Sequence, residues 1–92
     1  MPQITIYTKS TCSYCHAAKH LLREKNASFT EISVDGDPEG FKAMSARAQG
    51  RMTVPQICFD DSHIGGCDDL YALEQTGKLD GLLSAGAHIK HD

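Results

Sequence analysis

Two cysteines, Cys12 and Cys15, lie where a strand-like stretch passes into a helix-like stretch. The run from Ile4 to Tyr7 is rich in β-branched residues, which favours a strand, and the run from Ala17 to Lys25 has apolar residues at helical spacing. Side chains three apart in the first turn of a helix share a face, with about 5–6 Å between β-carbons. A disulfide needs about 3.5–4.5 Å there, so a small movement of that turn closes or opens the bridge. The pair therefore suits thiol–disulfide exchange better than structural cross-linking.

The position of Cys12 predicts which thiol reacts first. It falls at the expected helix N-terminus, where unpaired backbone N–H groups and the positive end of the helix dipole favour a thiolate. The dipole alone is too weak to ionise a thiol, so hydrogen bonds from the N–H groups of Tyr14 and Cys15, with Lys9 nearby, are expected to contribute. We predict that Cys12 attacks and that Cys15, one turn further in and more buried, resolves the intermediate.

Three other interpretations of the cysteines carry less weight. Residues 12–16 match C-x-x-C-H, the attachment signature of c-type haem, but Met1-Pro2-Gln3-Ile4 does not resemble a secretion signal. Zinc would need a second ligand pair, and Cys58 and Cys67 lack the usual spacing. A structural disulfide framework is not expected in a chain without an export signal. Protein-ligated metal is therefore not expected.

Length and charge restrict the remaining possibilities. The 92 residues suffice for one small domain, with an ordered core expected over about 3–84 and a loose tail over 87–92, in which His88 and His91 are expected to be solvated. The net charge of −3 provides no basic surface for nucleic acid or a membrane, and no apolar run approaches the roughly 20 residues of a membrane helix. We expect a cytoplasmic protein.

Strand and helix signals alternate along the chain in the order β-α-β-α-β-β-α, followed by a short fourth helix. A helix between the first two strands makes them parallel, whereas the last two form a tight hairpin. Asp37 is expected to cap the second helix, with Pro38 at its first position. The fold class is therefore α/β, with a four-stranded mixed sheet and helices on both faces. The predicted strands are 4–7, 29–34, 56–59 and 63–64, and the predicted helices are 13–26, 38–50, 68–75 and a short one near 79–83.

Three motifs together resemble a dithiol glutaredoxin of the compact bacterial form. They are Tyr-Thr-Lys-x-x-Cys-x-Tyr-Cys at 7–15, Thr-Val-Pro-Gln-Ile at 53–57 and Gly-Gly-Cys-Asp-Asp-Leu at 65–70, and the resemblance runs from about Ile4 to Leu83. It implies a thioredoxin-like fold and glutathione-dependent thiol–disulfide exchange through Cys12 and Cys15.

The motif Thr53-Val54-Pro55 shows how the resemblance changes an expectation. On the residues alone a trans proline is favoured, because only about 5–6% of X–Pro bonds are cis. The resemblance implies a cis proline facing the active thiol. It also implies that the Val54 backbone is free to pair with the cysteinyl part of glutathione as an added strand.

A helix N-terminus after Gly65-Gly66 is a ready site for a carboxylate. From the residues alone, Asp68 either caps this helix or leaves its N–H groups free for a ligand. The resemblance implies both: the N–H groups of Cys67 and Asp68 take the γ-glutamyl carboxylate of glutathione, and the Asp68 side chain takes the amine. Tyr14 packs beside the tripeptide. Lys9, with Lys42 or Arg47, meets the other carboxylate.

The resemblance also implies partners and leaves alternatives. Glutathione is the reductant, and the substrates are glutathionylated or disulfide-containing proteins, ribonucleotide reductase among them. An exposed redox site that works on large partners favours a monomer. Ser13 replaces the usual proline between the thiols, and some glutaredoxins without that proline hold a [2Fe–2S] cluster between two subunits; a cluster carrier is one alternative. A redoxin dependent on thioredoxin reductase is another. Cys67 is interpreted as a small buried residue or an extra oxidisable thiol, and Cys58 as inert core.

Overall fold

Strands and helices follow one another in the predicted order in the computed structural model, whose described residues are 1–89. Their bounds are β1 Ile4–Thr8, α1 Ser13–Glu24, β2 Phe29–Ser33, α2 Pro38–Arg47, β3 Gln56–Phe59, β4 Ser62–Gly65, α3 Cys67–Gln75 and α4 Leu79–Ile89. Within those residues no helix combines the length and the apolar character needed to cross a membrane.

The strands form one mixed sheet in the order β2-β1-β3-β4. β1 runs parallel to β2 and antiparallel to β3, and β3 runs antiparallel to β4. The central strand β1 therefore ends shortly before Cys12, which lies at one end of the sheet, beside the segment that leads into β3. The predicted four-stranded mixed sheet is confirmed.

The two faces of β1 supply two separate cores. Ile4 and Ile6 pack with α1, α3 and α4 on one face, whereas Tyr7 packs with Met44 of α2 on the other. This division follows from the alternation of side chains along a strand. Asp37 caps α2 as predicted: its side chain accepts a hydrogen bond from the Gly40 N–H at 3.0 Å, and Pro38 occupies the first turn. Helices on both faces of the sheet are therefore confirmed.

The C-terminal helix is longer than predicted. α4 reaches Ile89, beyond the short helix predicted near 79–83, and the loose tail over 87–92 stays a prediction. The apolar pattern used for the prediction ends at Leu83, but Ala85 and Ala87 have high helix propensity and continue the helix without it. Residues 90–92, including His91, lie outside the described part of the chain, and so does the side chain of His88.

Candidate active site

Cys12 is the N-cap residue of α1, with extended backbone angles of φ −98° and ψ 108°. Its Sγ accepts a hydrogen bond from the Cys15 N–H at 3.1 Å. The second expected bond, from the Tyr14 N–H, is absent among the described residues. An N-cap side chain bonds the N–H two or three residues on, and Cys12 uses the third. The half-buried thiol is thereby held at the positive end of the helix.

Cys15 lies one turn further in and is fully buried, at 0% exposure. Burial, and then its hydrogen bonding with Cys12, raises the pKa of the Cys15 thiol to about 12. A thiol with that pKa is deprotonated in only about 10⁻⁵ of molecules at pH 7. Both cysteines are free thiols. The half-buried Cys12 is therefore the more accessible thiol of the pair, with Cys15 buried one turn further along α1.

The peptide bond between Val54 and Pro55 is cis. The trans form favoured on the residues alone is thus wrong, and the cis form implied by the resemblance is present. Cys12 Sγ lies 3.6 Å from the Val54 carbonyl oxygen, to which its S–H donates. The Thr53–Pro55 segment therefore faces the reactive thiol across the end of the sheet.

A buried glutamine, Gln56, fixes the Thr53–Pro55 segment by hydrogen bonds. Gln56, at 0% exposure, donates from Nε2 to the Thr53 carbonyl oxygen at 3.0 Å and to Thr53 Oγ1 at 3.1 Å. Its Oε1 lies 2.7 Å from His63 Nε2. Burial lowers the pKa of His63, with the Arg51 charge as a smaller cause, and the neutral imidazole can still donate to that oxygen. Sequence reasoning did not single out Gln56 or His63.

The N-terminus of α3 is capped by Asp69, so the expectation that Asp68 caps it is wrong. The helix begins at Cys67, one residue earlier than predicted, which makes Gly66 the N-cap. Asp69 Oδ2 accepts from the Gly66 N–H at 2.9 Å and from Arg51 Nη1 at 3.1 Å. The Gly66 N–H, and then Arg51, hold the pKa of Asp69 below its usual value. The Asp68 carboxylate is left exposed.

These elements border an open cleft of about 190 Å³ beside Cys12. It gathers seven of the residues predicted for the site and adds Arg51 and Asp69, which sequence reasoning missed. Arg51 lies two residues before the Thr53–Ile57 motif and outside it, and an exposed arginine by itself gives no signal in a single sequence. The lining residues are Tyr14, Arg51, Thr53, Val54, Pro55, Gly66, Cys67, Asp68 and Asp69.

The other cations named from the sequence lie outside this cleft. Lys9 is exposed, with Nζ 5.1 Å from the centre of the Phe41 ring. Arg47 donates to the hydroxyl of Tyr7 at 3.0 Å and to the carbonyl of Asp60 at 3.0 Å. The Asp60 N–H bonds Gln3 at the start of β1, so Arg47 is at the far end of the sheet from Cys12. Lys42 lies on α2 in a different depression.

The two remaining cysteines are buried. Cys58 on β3 is 1% exposed, and burial raises its pKa, as expected for a core residue. Cys67 is 8% exposed and lines the cleft; its pKa is raised by burial, and less so by the charges of Asp68 and Cys12.

Comparison with known proteins gives a consistent result. The glutaredoxin family model matches residues 4–64. A glutaredoxin from Pseudomonas aeruginosa is 55% identical over 85 residues, which are 92% of this chain and 100% of that protein. A glutaredoxin from Brucella melitensis, solved in solution, superposes with a TM-score of 0.81 at 51% identity, covering 94% of this chain and 92% of that one. The crystal structure of a buckwheat glutaredoxin–glutathione complex has a TM-score of 0.81 at 30% identity, with 91% and 78% covered.

The family model spans more than half of the chain, and the thioredoxin-like fold of these structures is the one described above. The two cysteines at the start of α1 fall within the matched residues. The chain therefore belongs to the glutaredoxins, a family of thiol–disulfide oxidoreductases.

Proposed function

We propose that this protein uses glutathione to reduce protein–glutathione mixed disulfides and protein disulfides through Cys12 and Cys15. One observation carries the proposal. The half-buried Cys12 thiol lies 3.6 Å from the Val54 carbonyl oxygen, and Val54 lines a cleft whose other side is the N-terminus of α3. A reactive sulfur, an extended backbone segment and a carboxylate-binding helix end are thus adjacent.

The first reaction needs Cys12 alone. Its thiolate attacks the glutathionyl sulfur of a mixed disulfide, forms a Cys12–glutathione disulfide and expels the substrate thiolate, which takes up a proton. The thiolate of a second glutathione then attacks the glutathionyl sulfur. Oxidised glutathione leaves and the Cys12 thiolate is regenerated. Overall, the substrate sulfur is reduced from disulfide to thiol, the sulfur of the second glutathione is oxidised from thiol to disulfide, and the glutathionyl sulfur stays in a disulfide throughout.

Different residues of the cleft bind different parts of glutathione. The Val54 backbone pairs with the cysteinyl unit, and Thr53 and Pro55 hold that segment extended beside Cys12. The N–H groups of Cys67 and Asp68, following Gly66, bind the γ-glutamyl carboxylate at the positive end of α3. The exposed Asp68 carboxylate pairs with the amine.

The remaining carboxylate of glutathione requires a cation. Among the described residues that line the cleft, Arg51 carries the positive charge, whereas Lys9 lies against Phe41. Arg51 therefore takes the role expected of Lys9. Tyr14, 64% exposed at the cleft edge, packs beside the tripeptide.

The cluster-carrier alternative stays a prediction. Among the described residues no group of three or more His, Cys, Asp or Glu side chains could hold a metal. A [2Fe–2S] cluster would therefore need ligands from glutathione and from a second copy of the chain, with Cys12 as the protein ligand. A brown protein from anaerobic purification in the presence of glutathione would support that alternative.

The decisive assay is glutathione-dependent reduction of a small mixed disulfide, coupled to glutathione reductase. Wild type and Cys15→Ser should turn over, and Cys12→Ser should be inactive. Activity with thioredoxin reductase but not with glutathione would contradict the proposal and favour the redoxin alternative.

Recognition is tested by the KM for glutathione. Loss of one charge-assisted hydrogen bond is worth about tenfold in affinity. Asp68→Asn and Arg51→Ala should each raise KM by about that factor with a smaller change in kcat. Lys78→Ala, an exposed lysine between α3 and α4, is the matched control. A larger effect from Lys9→Ala than from Arg51→Ala would contradict the assignment of Arg51.

A further inference from the structure

Three polar side chains meet in the layer between α1 and the sheet. Glu31 Oε2 on β2 accepts a hydrogen bond from Thr8 Oγ1 at 2.7 Å and from Lys19 Nζ at 3.0 Å. Thr8 is 2% exposed, and the Lys19 side chain only 11%, which is unusual for a lysine. None of the three belongs to the glutathione cleft.

The strand pattern explains where this trio lies. Ile4, Ile6 and Thr8 alternate along β1, and the two isoleucines pack against α1. Thr8 continues that face at the end of the strand nearest the cysteine pair, where the apolar layer gives way to polar groups. Glu31 is the β2 partner of Ile6. The polar trio therefore occupies the end of the α1–sheet layer next to Cys15.

Lys19 is placed to act on the resolving thiol. It follows Cys15 by four residues on α1, so the two side chains share a helix face with about 5–6 Å between β-carbons. The Lys19 ammonium opposes the effect of burial on the pKa of Cys15. The other groups facing this region are Cys12, whose charge acts in the opposite direction on Cys15, and Arg23, which acts on Glu31.

We propose that Lys19, held by Glu31, to which Thr8 also donates, is a positioning residue for the resolving step, in which its ammonium stabilises the Cys15 thiolate. The inference rests on the proposed function, because that step occurs only with protein disulfides. Reduction of glutathione mixed disulfides, which needs Cys12 alone, does not involve Lys19.

In the resolving step, each bond that forms is matched by one that breaks. A protein substrate is joined to Cys12 by a mixed disulfide after its own disulfide has opened. Cys15 loses its proton, and the thiolate attacks Cys12 Sγ. The bond between Cys12 and the substrate sulfur breaks, a Cys12–Cys15 disulfide forms, and the leaving substrate thiolate takes up a proton. The substrate is reduced by two electrons and the dithiol is oxidised. When glutathione reopens the bridge at Cys12, Cys15 leaves as a thiolate and Lys19 assists again.

The size of the effect follows from thiolate chemistry. Each unit of increase in a thiol's pKa lowers its thiolate fraction about tenfold at neutral pH, while the nucleophilicity of the thiolate rises about threefold. The net rate falls about threefold per unit. Lys19→Met should therefore slow the reduction of a protein disulfide by about threefold for each unit by which it raises the pKa of Cys15.

The test compares two substrates in the full-length protein, with glutathione as reductant. Lys19→Met should slow single-turnover reduction of a protein disulfide and leave turnover of a small glutathione mixed disulfide within about 1.5-fold of wild type. Lys19→Arg and Glu31→Gln, which both keep the positive charge at position 19, should reduce both substrates like wild type. Lys78→Met is the surface control. Equal slowing by Glu31→Gln, or equal slowing of both substrates by Lys19→Met, would overturn the proposal.

A second measurement does not depend on turnover. In a Cys12→Ser protein, alkylation of Cys15 by iodoacetamide can be followed against pH by mass spectrometry. Adding Lys19→Met should shift this profile to higher pH, and an unchanged profile would overturn the proposal. If glutathione proved not to be the reductant, both substrate assays would fail for wild type as well, whereas the shift in alkylation would remain.

Discussion

Replacement of Asp69 tests whether one side chain organises the N-terminal end of α3. Its carboxylate accepts from the Gly66 N–H at 2.9 Å and from Arg51 at 3.1 Å, and so joins the helix N-terminus to the cation of the cleft. Asp69→Ala removes the acceptor of both hydrogen bonds. Asp69→Asn keeps an oxygen for the Gly66 N–H and removes the charge.

The magnitude follows from these two contacts. Loss of a cap costs about 0.5–2 kcal/mol, and a buried N–H left without a partner costs about 1–3 kcal/mol. Both figures describe the same Gly66 bond, so they are not added. The ion pair with Arg51 joins side chains that are 47% and 46% exposed, and contributes below about 1 kcal/mol. Asp69→Ala should therefore lower the free energy of unfolding by about 2 kcal/mol, and Asp69→Asn by about 1 kcal/mol or less.

Thermal unfolding at two pH values provides the check. At pH 7 the Tm should fall by about 8–16 °C for Asp69→Ala, since a domain of this size loses about 4–8 °C per kcal/mol. The pKa of Asp69 is lowered in the folded protein from 3.8, so its charge stabilises the fold above that value and ceases to do so as pH falls through the folded pKa. The difference between wild type and Asp69→Asn should therefore shrink below pH 4. A difference that does not shrink as pH falls below 4, or equal effects of Asn and Ala, would refute the reasoning.

Three further predictions concern the core and the backbone. Gly65→Ala should destabilise the fold by about 1–3 kcal/mol in a urea titration, because φ is +126° there and a β-carbon would overlap the Asp69 carboxyl group. Leu70→Ala should cost about 2–5 kcal/mol, since the side chain is 0% exposed, whereas Leu82→Ala, at 38% exposure, should cost well under half as much. Because the pKa of Cys15 is about 12, its alkylation rate should rise about tenfold per pH unit up to at least pH 10, and a plateau below pH 9 would contradict that value.

The order of strands and helices could be predicted because buried apolar residues recur with the period of the element that they belong to. Ile4 and Ile6 alternate as a strand requires, and Leu21 and Leu22 recur with Ala18 on one helix face; all five are buried in one core. The end of α4 could not be placed this way, because its last turns depend on propensity and not on apolar spacing. The cis bond at Pro55 was also beyond local reasoning, since the trans form is favoured unless the surroundings decide otherwise.

The candidate site shows a similar division. The segments around Val54 and Cys67 were predicted to meet Cys12, and the structure gathers them at one end of the sheet. The side-chain contacts between residues far apart in the sequence were not predicted. Which of two adjacent aspartates caps α3 depends on a single residue in the helix start, and the direction of the Lys9 side chain depends on the Phe41 ring beside it.

Much of the chemistry available in the cleft comes from backbone groups, which side chains hold in place. The carbonyl of Val54 faces Cys12, while Gln56 holds the neighbouring Thr53 from the buried side. The N–H groups at the start of α3 are oriented by the Asp69 cap. Backbone groups cannot be changed by substitution, so their positions can be varied only through these supports. Lys19 is also a supporting residue: it lies outside the cleft, between α1 and the sheet, and affects the buried Cys15 thiol from there.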